Sequence, residues 1–307
     1  MSWLPNCRPR DIVLLYHRIA HVVPDPWELC VTPEHFVEHL EVLRKCQRAS
    51  LNQIHVRDWF IGRRAPRIVI TFDDGYADNL YEAAPLLEQY DMPATFFIAT
   101  GYMGGTREFW WDELERIVFQ SKRQDDLEYP LEGRTLSWRR PPNTSHDAWY
   151  FELYDRLQPL PHEVRREVLD RMLDGSGQEA APRPTHRSLT SQEIATLGSK
   201  KLFEIGAHTV THPVLAAQPL GDQYRELQES KGWLETLLDR SITSLSYPYG
   251  GSQHYTAETV RAAHALGFTR ACSVSGHVST RLESRYELTR VNVTDMDGDA
   301  FERLLFS

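Results

Sequence analysis

The chain has 307 residues, 41% of them apolar and 25% charged, enough for a sizeable core and typical of a globular protein. A formal net charge of -9 lacks the basic footprint that nucleic acid calls for, and no stretch is apolar for the length of a membrane span. The N-terminus lacks a secretory signal core, and Cys7, Cys30, Cys46 and Cys272 are scattered as free thiols would be, so a soluble, cytoplasmic protein is predicted.

In chain order, Asp11-Ile-Val-Leu-Leu-Tyr-His17 reads as a buried strand that ends in a histidine. Thr32-Pro33 then opens a helix, with Thr32 as cap and Phe36, Leu40 and Leu43 on its apolar face. Arg67-Ile-Val-Ile-Thr-Phe-Asp-Asp-Gly75 is a strand buried on both faces that stops at two carboxylates and a glycine. A helix over 78–90 and a strand over 93–99 complete a βαβ unit. Between Gly101 and Ser188 the rhythm breaks. Phe109-Trp110-Trp111 opens a helix, a charged stretch with Pro141-Pro142 follows, and helical patterns recur over 148–157 and 163–173. The block 107–188 reads as a mainly helical insertion, without a clear core of its own, inside a single domain of 1–307.

Alternation resumes at Thr190-Ser-Gln-Glu193, a capping box. A strand over 202–206, a helix over 222–238 and a strand from Ile242 into the turn Tyr247-Pro-Tyr-Gly250 follow. A helix over 257–266, strands over 268–272 and 286–293 and a helix from Gly298 end the chain. Roughly seven strands, mostly followed by helices, predict an α/β fold: a (β/α) barrel or an open doubly wound sheet.

Four strand ends carry chemistry: His17, Asp73 with Asp74, His208 with His212, and the Tyr247 turn. Adjacent strand residues point to opposite faces, so Asp73 and Asp74 share a site only where the strand stops. Asp-Gly is also a common turn pair, and a lone His-x-x-x-His is a weak signal. Together they favour a metal centre, since two imidazoles and a carboxylate form a facial ligand set with positions left open.

Thr71-Phe-Asp-Asp-Gly75, His208-Thr-Val-Thr-His212-Pro213 and Tyr247-Pro-Tyr-Gly250 resemble, in order and spacing, three motifs of the polysaccharide deacetylase family (NodB-homology domain, carbohydrate esterase family 4). The resemblance spans roughly 10–105 and 188–295 and implies an irregular (β/α)7 barrel that removes an acyl group from an amino sugar. It implies Asp73 as general base, Asp74, His208 and His212 as ligands of a divalent metal, and the Tyr249 N–H as oxyanion donor. Zinc is the default metal, with cobalt, nickel and manganese open.

Two departures stand out: Ser246 occupies the place of a usual arginine, and the late Leu-His motif is not evident. Leu15-Tyr16-His17-Arg18 and Leu288-Thr-Arg290 are similar to the branch in which an N-terminal histidine and a late arginine fill those roles. This makes His17 the candidate acid, with His277 in reserve, and Arg290 the orienter of Asp73. Trp110, Trp111 and Tyr247 are candidate sugar contacts, although such aromatics equally suit a core. The expected substrate is an intracellular acetylated amino sugar, nucleotide-linked, lipid-linked or a small glycoside. An O-acetyl ester or non-sugar amide or imide, and an inactive glycan-binding barrel, are the alternatives. Oligomeric state is not legible.

Overall fold

The structure, a computed structural model, describes residues 11–54, 67–104, 106–120, 127–131, 134–138, 143–177, 181–274 and 284–306. Cys7, His277 and the Pro141-Pro142 pair lie outside the described residues. Seven parallel strands follow one another around a closed ring: β1 (Asp11–Tyr16), β2 (Arg67–Phe72), β3 (Ala94–Ile98), β4 (Phe203–Ala207), β5 (Ser244–Ser246), β6 (Arg270–Val274) and β7 (Leu288–Asn292). β1 closes the ring, pairing Leu15 with Thr71 of β2 on one side and Val13 with Arg290 of β7 on the other. The barrel alternative is therefore the one realised. A two-residue strand, Gln47–Arg48, pairs beside the start of β2, where β3 has not yet begun.

The two-residue period of a strand sorts β2 into two roles. Ile68, Ile70 and Phe72 face outward into the large core shared with the surrounding helices, whereas Val69 faces the barrel interior beside Val13, Phe97, Cys272 and Leu288. Thr71 and Asp73 continue that inward face. The interior is thus apolar at its floor and polar at its carboxyl mouth. Gly206 of β4 is forced by this filling, because a Cβ there would collide with the Phe97 ring and Ser244 Oγ.

The helices fall where the periodicity places them: α1 (Pro33–Leu43), α2 (Ala84–Gln89), α3 (Trp110–Gln120), α4 (His146–Leu157), α5 (His162–Ser176), α6 (Ser191–Ser199), α7 (Leu220–Leu238), α8 (Ala257–Ala265) and α9 (Gly298–Phe306). Thr32 caps α1 and Thr190 with Glu193 forms the capping box of α6. The helix expected over 78–90 is instead a π-helical turn, Asn79–Ala83, running into α2. Pro85, with no N–H to donate backward, accounts for the interruption.

The block between β3 and β4 is mainly helical, as expected, and has two features beyond that reading. Its middle contains an antiparallel hairpin, Leu127–Leu131 with Arg134–Trp138. It also has a core: Trp110, Trp111, Leu114, Trp149, Tyr150, Leu153, Val168 and Leu169 pack with Tyr76, Ala99 and Tyr102 from the barrel loops. Among the described residues Cys30, Cys46 and Cys272 are free thiols, and no helix is long and apolar enough to cross a membrane.

Candidate active site

Every polar group of interest sits at the carboxyl ends of the strands, where parallel barrels build their sites. β2 ends at Phe72, Asp73 N–H still donates to Tyr16 O at 3.0 Å, and Asp73 keeps the inward direction. Asp74 then adopts a left-handed φ of 73°, which turns its carboxylate back over the same mouth. Thr209, His212 and Tyr249 also have positive φ, at 65°, 51° and 62°. Non-glycine residues pay for that conformation, and strain of this kind collects where geometry must be imposed on a site.

Asp74, His208 and His212 are buried, and each offers one donor atom such that all three lie within 4.8 Å of one another. Asp74 Oδ1 is 3.5 Å from His208 Nε2 and 3.6 Å from His212 Nε2. His208 Nδ1 lies 2.8 Å from the Ser246 carbonyl, a contact that puts its proton on Nδ1 and leaves Nε2 free as a ligand. Two imidazoles and one carboxylate suit a divalent ion of the zinc, cobalt, nickel or manganese type.

Asp73 stands outside that set and is held differently. Arg290 grips both its oxygens, Nη1 to Oδ1 and Nη2 to Oδ2 at 2.7 Å each, and Ser246 Oγ donates to Oδ2 at 2.9 Å. The guanidinium also reaches Thr71 Oγ1, Ser246 Oγ and the Ser273 carbonyl, so a fully buried arginine is saturated. Ser246, a departure in the sequence, is here the residue that shares Arg290 with Asp73. Burial raises the Asp73 carboxyl, but Arg290 and the nearby His208 outweigh it and hold its pKa below the ordinary value. Asp74 is likewise lowered, burial being outweighed by His208, His212 and His17. Burial lowers His208 too, yet Asp73 and Asp74 prevail and raise it, whereas burial and His208 together push His212 down to about 3.

His17 follows β1 and is half-buried, its carbonyl tied to Asn79 Nδ2 at 2.8 Å. It lies close enough to Asp74, Asp73, Arg290 and His208 to feel their charges, and burial lowers its pKa despite the two carboxylates. Tyr249 packs its ring on His212 at 4.6 Å, and its N–H has no protein acceptor among the described residues.

The proposed aromatic contacts divide. Trp110 is fully buried, tilted against Tyr154 at 4.6 Å with the Arg165 guanidinium 4.8 Å from its ring, and has no face to offer a sugar. Tyr247 is equally buried against Tyr255 at 4.3 Å. Trp111 is buried as well, its indole 4.8 Å from the His212 ring, so it touches the ligand set rather than solvent. Glu226 of α7 belongs to the site without any mark in the sequence. Its carboxylate accepts the Val210 N–H at 2.7 Å, the Thr211 N–H at 2.9 Å and Thr211 Oγ1 at 2.6 Å, and so braces the loop that carries both histidines.

A closed parallel barrel gathers its polar groups at the carboxyl mouth, the end at which such barrels build their sites. The sequence matches the polysaccharide deacetylase family over residues 62–122 and 179–271, and the chain belongs to that family. It is 22% identical over 305 residues to the putative polysaccharide deacetylase YxkH of Bacillus subtilis (strain 168), covering 98% of this chain and 78% of that protein. Among solved structures it is similar to IcaB from Ammonifex degensii, with a TM-score of 0.62, 15% identity, and coverage of 97% of this chain and 100% of that one. The Streptococcus pyogenes deacetylase PplD in complex with acetate matches with a TM-score of 0.60 and 17% identity, covering 96% and 97% of the two chains. At these identities the likeness establishes the barrel fold.

Proposed function

We propose that this protein is a metal-dependent N-deacetylase that hydrolyses the acetamido group of an N-acetylated amino sugar. The observation that carries the reading is the buried Asp74–His208–His212 donor set with Asp73 clamped beside it by Arg290. Asp74, His208 and His212 would hold the ion, zinc by default, which when bound polarises a carbonyl oxygen and lowers the pKa of water. Asp73, kept ionised by Arg290, takes the proton of the attacking water. Arg290 and Ser246 fix the direction of that carboxylate, so its basic lone pair is presented without reorganisation. The Tyr249 N–H, set by a left-handed backbone, donates to the developing oxyanion. An amine cannot leave as an anion, so His17 gives a proton to the departing nitrogen.

The Tyr16-His17-Arg18 start and Arg290 support a place in the branch that uses an N-terminal histidine and a late arginine. The chain is then one catalytic domain, 1–307, with 107–188 inserted in it. Acetate, which the PplD structure carries, is the product such a site would release. The free thiols suit a reducing compartment, hence a cytoplasmic enzyme acting on a nucleotide-linked, lipid-linked or small glycosidic substrate. Acetate release is the test, measured on UDP-N-acetylhexosamines, lipid-linked N-acetylated sugars and chitooligosaccharides. Equimolar acetate and free amine from one of these classes is expected. No acetate from any of them, with metal supplied, would overturn the substrate assignment.

A further inference from the structure

The two histidines of the donor set are held in different ways. His208 has the Ser246 carbonyl on Nδ1. His212 Nδ1 is buried and has no hydrogen-bond partner, so the bond that normally orients a ligand imidazole is missing. What surrounds the His212 ring is aromatic: Tyr249 at 4.6 Å, His208 at 4.8 Å and Trp111 at 4.8 Å, all at steep interplanar angles.

Trp111 is itself fixed by a short polar chain. Its indole N–H donates to Tyr76 Oη at 2.9 Å, and that hydroxyl donates to Asp112 Oδ2 at 2.8 Å. Phe109 stacks on the indole at 4.8 Å and 12°, and Tyr150 Oη donates to the Trp111 carbonyl at 3.3 Å. Tyr76 is fully buried two residues beyond Asp74, with the Arg18 guanidinium 4.3 Å from its ring centroid. One phenol therefore ties the loop of the ligand Asp74 to the helix that packs on the ligand His212. The neighbour of His17 lies against it as well. If simple filling were the whole role, apolar side chains in place of Tyr76, Trp111 and Asp112 would serve without burying three polar groups that each need a partner.

We infer that Trp111, locked in rotation by Tyr76 and Asp112, is a positioning residue that sets the angle of the His212 imidazole, as the Ser246 carbonyl does for His208. This gives the start of the 107–188 block a function in the metal site, and it rests on the reading that Asp74, His208 and His212 bind a metal. Tyr76→Phe removes the shared hydroxyl while keeping the ring. Trp111→Phe keeps an aromatic face and loses the donor.

The test is Co2+ affinity of the full chain by chelator competition, together with the visible spectrum of the bound cobalt and the melting temperature of each metal-free variant. Both substitutions are expected to weaken Co2+ binding 10- to 100-fold, roughly the range for losing a group that orients a ligand, and to change the cobalt spectrum. Asp112→Asn, which keeps an acceptor for Tyr76, should retain both properties, whereas Asp112→Ala should lose them. Should Tyr76→Phe fail to fold, Trp111→Phe and the Asp112 pair decide the matter. Folded variants with wild-type affinity and spectrum would overturn the inference alone. No cobalt binding by the wild-type chain would overturn the metal site and this inference with it.

Discussion

Replacing Arg290 by methionine tests how the base is held. The guanidinium makes two 2.7 Å bonds to Asp73 and further bonds to Ser246, Thr71 and Ser273, all inside the barrel. Methionine fills similar volume and leaves the Asp73 carboxylate buried without its counter-ion. Breaking one side of a buried pair costs about 3–5 kcal/mol. At roughly 2–4 °C per kcal/mol for a chain of this size class, the melting temperature should fall by about 10 °C. The sign of the pH dependence follows from the lowered pKa. Its stabilising contribution is fully present above the ordinary value of 3.8 and is lost as pH falls through the folded value. The deficit of Arg290→Met should therefore be greatest near neutral pH and shrink in acid. With Arg290 gone and only the nearby histidines left to oppose burial, the Asp73 pKa should rise, moving the acid limb of the activity profile upward. Thermal unfolding at pH 3 and pH 7, with acetate release across the pH range, reads both effects. An equal deficit at both pH values, or an unmoved acid limb, would refute the reasoning.

Three further outcomes follow from the structure. His17→Gln should abolish the alkaline limb of the kcat/KM profile, which in the wild type should lie at or below 6.5 because burial lowers that histidine. A limb that persists in the variant would move the acid role elsewhere. His186 is buried near Arg183, and burial with that charge lowers it to about 3 from 6.5, so the unfolded chain binds the extra proton between those values. Stability should rise with pH across that window, and His186→Leu should flatten the rise in denaturant titrations. Glu226→Gln removes a charge that accepts three hydrogen bonds from the histidine loop and should cost about 1–3 kcal/mol by chemical denaturation, with weakened metal binding.

The parts of the site that lie within one strand and its exit were legible in the sequence. The apolar run 68–72 followed by two carboxylates and Gly75 marks a buried strand ending at a mouth, and the strand period places Thr71 on the same inward face as Asp73. The match of Arg290 to Asp73 came from resemblance, since nothing local to β7 reveals that its register with Val13 and Val274 points the arginine into the barrel. The aromatic pair was ambiguous for a physical reason: Trp110 and Trp111 have the chemistry of a sugar platform and of a core alike. The second core was invisible because Tyr76, at the exit of β2 and remote from the inserted block in sequence, helps to complete it. Glu226 carries no sequence signal, as the donors to its carboxylate are the backbone amides of a loop sixteen and fifteen residues upstream.

The most direct test of the account is metal content measured beside acetate release in Asp73→Asn and His208→Ala. The account predicts that Asp73→Asn keeps its metal and loses most activity, because the base is not a ligand, whereas His208→Ala loses both. Loss of metal in Asp73→Asn, or near wild-type activity in either variant, would contradict it.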